Sequence, residues 1–228
     1  ATGQAQDALY DSTCRNADQT LSASVASGSD EIQFLVKQGS STLTAPYVAQ
    51  SAWLSTSPAS YVPSLVTNTY YWNTISRSTA APVACITPAV FPTGFQLNID
   101  KTAPGTPVGT FTGLVADPTC LSQYFVTYGW GASSDVGCSG LAALPYQAQI
   151  ASDAGYSALT DDINTAGFSI TSASSYLPTT LYGRVSANDA LGNNSVWSTT
   201  SVVIPQPSPF PTIHIQGNYI EDTGVCSN

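Results

Sequence analysis

The side chains best suited to chemistry are few in this chain: one histidine, five cysteines and a handful of adjacent carboxylates. The histidine, His214, lies near the end of the chain in "TIHIQGNYI". A Ser-His-Asp or Cys-His nucleophile needs its imidazole held against partners on a folded scaffold. In this segment His214 reads instead as one residue of an alternating strand. A zinc site needs three or four clustered nitrogen and sulfur ligands, and one His with scattered Cys does not supply them. Asp161 with Asp162, and Glu221 with Asp222, are adjacent pairs. A glycosidase requires two carboxyls facing each other across about 5–9.5 Å, whereas neighbours on a strand point to opposite faces. "SDAG", "TDDIN" and "NDALGNN" offer oxygen donors without EF-hand spacing, so they read as solvated loops. The expectation is a protein that is not an enzyme, with no catalytic residue, no metal site and no cofactor.

The cysteines are Cys14, Cys85, Cys120, Cys138 and Cys226. None shares a C-x-x-C spacing, so metal and redox motifs are excluded. In an exported chain they read as disulfide partners. Cys120 with Cys138 closes a short loop inside one domain. Cys14 with Cys85 staples the start of another to its end. Cys226 is then left as a free thiol or an intermolecular bond. Asn193, in "NNS", is an acceptor sequon on an expected hairpin tip.

Composition narrows the class further. The chain has 228 residues and no Met, and opens with the small, polar "ATGQAQ". That reads as a processed product cut after a signal peptide, and predicts a secreted, cell-surface location. Charged residues make up 8%, against about 25% in typical soluble domains. Five Lys and Arg in all, with a net charge of -9, exclude nucleic acid as a partner. No run approaches the roughly 20 apolar residues of a span, so no membrane insertion is expected. With 43% hydrophobic residues, the chain can build packed cores. A surface this poor in charge suits a subunit covered by its neighbours.

The elements that would position these groups are short strands. "EIQFLVKQ" places Ile32, Phe34 and Val36 on one face. "NTYYWNTISR" places Tyr71, Asn73 and Ile75 on one face and Tyr70, Trp72 and Thr74 on the other. "IDKTAPGTP" breaks pairing with two prolines and a glycine, and a second series follows. "SQYFVTYGWGAS" aligns Tyr124, Val126, Tyr128 and Trp130. "PYQAQIAS", "GFSITSASSYL", "LYGRVSAND" and "STTSVVI" complete it, with a turn at "ALGNNS". Strands at this spacing, with no helical periodicity, predict an all-β fold of two tandem sandwiches. The expected layout is an N-terminal arm over 1–19, a first sandwich over 20–101, a second over 102–204, and a Pro-rich spacer with a C-terminal tail over 205–228.

"SYVPSLVTNTYYWNTIS" and "SYLPTTLYGRVSA" share a Ser-Tyr-aliphatic-Pro corner followed by a strand. With "NIDKTAPGTPVGTFTG" and "YGRVSANDALGNNSVWS", they resemble tandem fibronectin type III-like or bacterial immunoglobulin-like domains of extracellular surface proteins. The resemblance covers roughly residues 20–204. "TYYWNTISR" departs from it in lacking an Arg directly after Trp72. The resemblance implies a sandwich fold, with Tyr71 and Tyr182 beginning the strand after each corner and filling the core. Trp53, Trp72, Trp130 and Trp197 read as packing residues.

Two functions fit. The first is a structural subunit of a cell-surface filament or pilus-like appendage, a homopolymer assembling head to tail. Its assembly strand would be the tail, through Thr212, Ile213, His214, Ile215, Tyr219 and Ile220, with Cys226 free to lock neighbours. The second is a secreted adhesin or carbohydrate-binding module with a glycan or other surface ligand.

Overall fold

The computed structural model describes residues 13–25, 28–42, 45–80, 94–120 and 122–206. Fourteen strands and no helix occur among them: β1 (Cys14–Arg15), β2 (Leu21–Ala23), β3 (Glu31–Gln38), β4 (Ala49–Gln50), β5 (Ala59–Tyr61), β6 (Asn68–Arg77), β7 (Phe95–Ile99), β8 (Gly109–Ala116), β9 (Tyr124–Trp130), β10 (Leu141–Ala151), β11 (Leu159–Thr165), β12 (Ser169–Thr171), β13 (Thr180–Asp189) and β14 (Ser198–Val203). The chain divides into two units. The first runs to Thr102 and takes in Asp135–Gly140; the second comprises Ala103–Ser134 and the chain from Leu141 on.

In the first unit a five-stranded sheet, β1-β7-β6-β3-β4, faces the two-stranded β2-β5. Antiparallel register sets Val36 opposite Trp72 and Tyr70 opposite Leu97. The two-residue period then sends Ile32, Phe34, Val36, Tyr70, Trp72, Leu97 and Ile99 to one face. There they meet Leu21, Ala23 and Ala59 from the smaller sheet. Phe34 packs its ring 5.9 Å from Trp72 and 6.0 Å from Tyr61.

The second unit sets a four-stranded sheet, β11-β10-β13-β14, over the three-stranded β12-β9-β8. Hairpin partners β8 and β9 share one sheet, β10 and β11 the other. The chain returns to the first sheet for β12 and crosses back for β13 and β14. This is the crossing of an immunoglobulin-like sandwich. Val126, Tyr128, Trp130, Tyr146, Ala148, Ile150, Leu181 and Val185 fill the core.

The repeated Ser-Tyr-x-Pro segment sits at the same corner in each unit. Tyr61 ends β5 and Tyr176 bridges to Tyr124, each just before the chain crosses to the larger sheet. The core tyrosine after the first corner is Tyr70, not Tyr71. Tyr70 is buried, and its hydroxyl donates to the Val66 carbonyl at 3.0 Å. Tyr71 is half-buried on the other face of the strand. In the second unit Leu181 takes the inner position and Tyr182 is half-buried. A shift of one residue in a strand exchanges the faces.

Two further expectations change. Cys14–Arg15, read as part of an arm over 1–19, pairs in parallel with Asn98 and Ile99. "TDDIN", read as a solvated loop, lies in β11, antiparallel to β10.

Candidate functional site

The covalent centre of the first unit is a disulfide between Cys14 and Cys138, with Cα atoms 5.8 Å apart. The expected pairs Cys120–Cys138 and Cys14–Cys85 are therefore not formed. The physical reason is that Asp135–Gly140 belongs with the first unit, so sequence proximity to Cys120 misleads. Cys120 is buried and also disulfide-bonded. Cys85 and Cys226 lie outside the described residues.

Beside the bridge, the fully buried Asp100 anchors the same segment. Its Oδ2 accepts the Ser139 N–H at 3.1 Å and the Ser139 hydroxyl at 2.7 Å. Its Oδ1 accepts the Thr102 N–H at 3.2 Å. A Cβ at Gly137 would stand 1.8 Å from Asp100 Oδ2, so the close approach admits only glycine. Asp100, Ser139 and Gly137 carried no motif that single-sequence reading could find. A disulfide also leaves Cys14 and Cys138 no thiolate to offer a metal.

The carboxylates are spent on their own loops. Asp153 accepts the N–H groups of Gly155, Ser157 and Ala158 and the Ser157 hydroxyl, at 2.6–3.1 Å. The Ala158 N–H foremost, then that of Ser157, holds its carboxyl below the ordinary Asp value. Asp117 lies below it too, held first by the Thr119 hydroxyl and then by Ser175. Asp161 and Asp162 diverge, as strand neighbours must. Asp161 accepts the Tyr176 hydroxyl at 2.8 Å, and burial pushes that hydroxyl up to about 12. Asp162 accepts from Gln147 on the opposite face at 3.2 Å. The two carboxyls thus face away from each other across β11.

Asn193 stands in the turn after β13, where Gly192 adopts a φ of 84°. Its side-chain amide donates to Asp189 at 2.6 Å, and Ser195 Oγ takes the Ala187 N–H at 2.8 Å. These bonds give the Asn-Asn-Ser pattern a structural role of its own. Thr212, Ile213, His214, Ile215, Tyr219 and Ile220 lie outside the described residues.

Two tryptophans are covered by arginine. The Arg77 guanidinium sits 4.2 Å from the Trp53 ring, and Arg77 also pairs with Glu31 at 2.6 Å. Arg184 lies between two rings, 4.2 Å from Tyr156 and 4.4 Å from Trp197. Its Nε donates to Gln149 at 2.6 Å. Tyr156 holds a left-handed φ of 55° while its hydroxyl donates to the Gly183 carbonyl at 2.9 Å. Such a conformation costs about 1–2 kcal/mol, offset here by the stacking and the bond. Trp72 and Trp130 are buried core residues.

No protein-family model matches the chain, and no curated protein matches it. Solved structures do. A Fn3-like protein from Clostridium thermocellum is 18% identical, with 47% of this chain covering 98% of that one at a TM-score of 0.31. The fibronectin(III)-like modules of CbhA from Clostridium thermocellum are 13% identical, over 90% of this chain and 93% of theirs, at 0.34. A run of titin domains is 10% identical, over 83% of this chain and 60% of that one, at 0.41. By its own strand order the chain carries tandem immunoglobulin-like, fibronectin III-like β-sandwiches.

Proposed function

We propose that this is an extracellular structural protein whose chain polymerises head to tail into a cell-surface filament. One observation carries the reading. The seven strands β8–β14 complete the second sandwich by Val203, yet the sequence continues through a proline-rich spacer into the alternating "TIHIQ". A segment that follows the last of these strands can add a strand to a neighbour, with main-chain hydrogen bonds for affinity and alternate side chains for register. A contact of that kind does not close on itself and so propagates. The Cys14–Cys138 disulfide fits an oxidising, extracellular compartment. The low charge of the chain fits a surface covered by other copies. Sandwiches of this type are typically non-catalytic, and the carboxylates described above serve turns and strands.

The alternative, an adhesin or carbohydrate-binding module, relies on Trp53 and Trp197 offering ring faces to sugar. Each has a guanidinium over its ring, which weighs against it. Negative-stain electron microscopy of the full chain and of a chain lacking residues 206–228 tests the proposal. Uniform filaments are expected only from the full chain. Dispersed monomers from the full chain would sink it, and normal filaments from the truncated chain would remove the tail from the mechanism.

A further inference from the structure

The second sandwich has one long strand with a free side. β11 pairs with β10 and ends its sheet, and among the described residues no strand pairs with its far side. The other long outer strands, β8 and β14, lie against each other, with the Gly109 N–H donating to Ser198 Oγ at 3.3 Å. Asp161 points between the sheets to Tyr176, so the two-residue period puts Ile163 on that inner side as well, while the bulge that breaks the β10–β11 register next to Leu159 ends the alternation there. Ile163 should be covered there, yet it is 36% exposed, and Leu159 beside the bulge is 41% exposed. Phe168, in the turn leading to β12, is 52% exposed. The cause is local: β12 is only three residues long, and the facing sheet stops short. An edge with unpaired backbone groups and uncovered apolar side chains is a template for another strand.

We infer that the free edge of β11 accepts residues 212–220 of a neighbouring copy as an added strand. The inference rests on the filament reading and names the acceptor within it. The chain has 22 residues beyond Gln206 (228 − 206), enough for a spacer and a strand. With Ile213 or Ile215 turned toward Ile163, His214 falls on the outer side with Asp162. A protonated imidazole there meets a carboxylate, so the pairing is complementary in charge as well as in hydrophobicity. A neighbour's segment is favoured over the chain's own. Four prolines between 205 and 211 favour an extended run of about 3.1 Å per residue, roughly 20 Å in all. The run starts beyond β14, at the opposite edge of the sheet from β11, so reaching the chain's own β11 would require it to turn at once across three strands, against an extended preference.

Backbone hydrogen exchange on the full-length protein, in filaments and in dilute solution, tests this. Amides of residues 159–165 are expected to exchange at least 10-fold more slowly in filaments than in dilute monomer. Ile163→Lys puts a charge on the edge at an already exposed position. It should keep the wild-type melting temperature and fail to assemble. Filaments in which these amides exchange at the monomer rate, or normal assembly of a folded Ile163→Lys, would overturn the acceptor and leave the filament intact. Slow exchange already present in dilute monomer would assign the edge to the chain's own tail and overturn the contact between copies. A full chain that never forms filaments would instead remove the reading on which the acceptor rests.

Discussion

Tyr128 shows what a single side chain demands of its surroundings. Its ring runs through the second core, 5.1 Å from Phe111 and 5.9 Å from Trp130. A Cβ at Gly183 would stand 2.8 Å from its Cε2, and one at Gly109 only 1.9 Å from its hydroxyl. Gly183→Ala should therefore cost about 1–3 kcal/mol through overpacking, read by urea unfolding. The Tyr128 hydroxyl is buried with no hydrogen-bond partner among the described residues. An unsatisfied buried hydroxyl costs about 1–3 kcal/mol, so Tyr128→Phe should leave stability unchanged or raise it. Burial also pushes the hydroxyl's pKa well above its ordinary value of 10.0. Stability from the neutral phenol is full below 10 and is lost as pH rises through the higher folded value. The wild type should therefore lose stability in alkali more steeply than Tyr128→Phe, a difference measurable by denaturation at pH 9 and pH 11.

At the scale of elements, the turn between β10 and β11 depends on one carboxylate. Asp153 collects three backbone N–H groups and a hydroxyl, and so orients Tyr156 over Arg184. Its pKa is lowered from 3.8 in the fold. The stability it adds is present above 3.8 and disappears as pH falls through the folded value. Amide exchange of residues 155–158 should accelerate below that pH before the rest of β10 and β13 responds. Equal acceleration across the sheet would contradict a local role. The same turn delivers the chain to β11, whose free edge is the proposed acceptor.

At the scale of the whole molecule, the disulfide joins positions 124 residues apart. Closing a loop of that length removes chain entropy worth about 4–5 kcal/mol on the loop-closure model. Cys14→Ser with Cys138→Ser should lose a stability of that order, measured by denaturant titration against the oxidised protein. The bridge also alters how the chain bears load. Tension entering at the N-terminus passes from Cys14 directly to Cys138, and the chain between them is bypassed. Reduction should therefore release an additional extension of roughly 40 nm, at about 3.3–3.6 Å per residue, in single-molecule pulling. The same extension in oxidised and reduced protein would contradict this load path.

Periodicity and turn chemistry are local, and the sequence by itself determined what depends on them. The alternation in "EIQFLVKQ", "NTYYWNTISR" and "SQYFVTYGWGAS" was enough to place β3, β6 and β9. The proline corners were enough to show two sandwiches. The tertiary structure decided the remainder. Which face of β6 is inner, and hence Tyr70 over Tyr71, follows from the sheet packed against it. "TDDIN" becomes a strand because β10 offers it a partner, although its acidic residues favour a loop when read alone. Cys14 finds Cys138 because a six-residue segment from the second half of the chain packs with the first unit, beside a buried aspartate. Pairings of this kind depend on distance in space, which spacing along the chain does not encode.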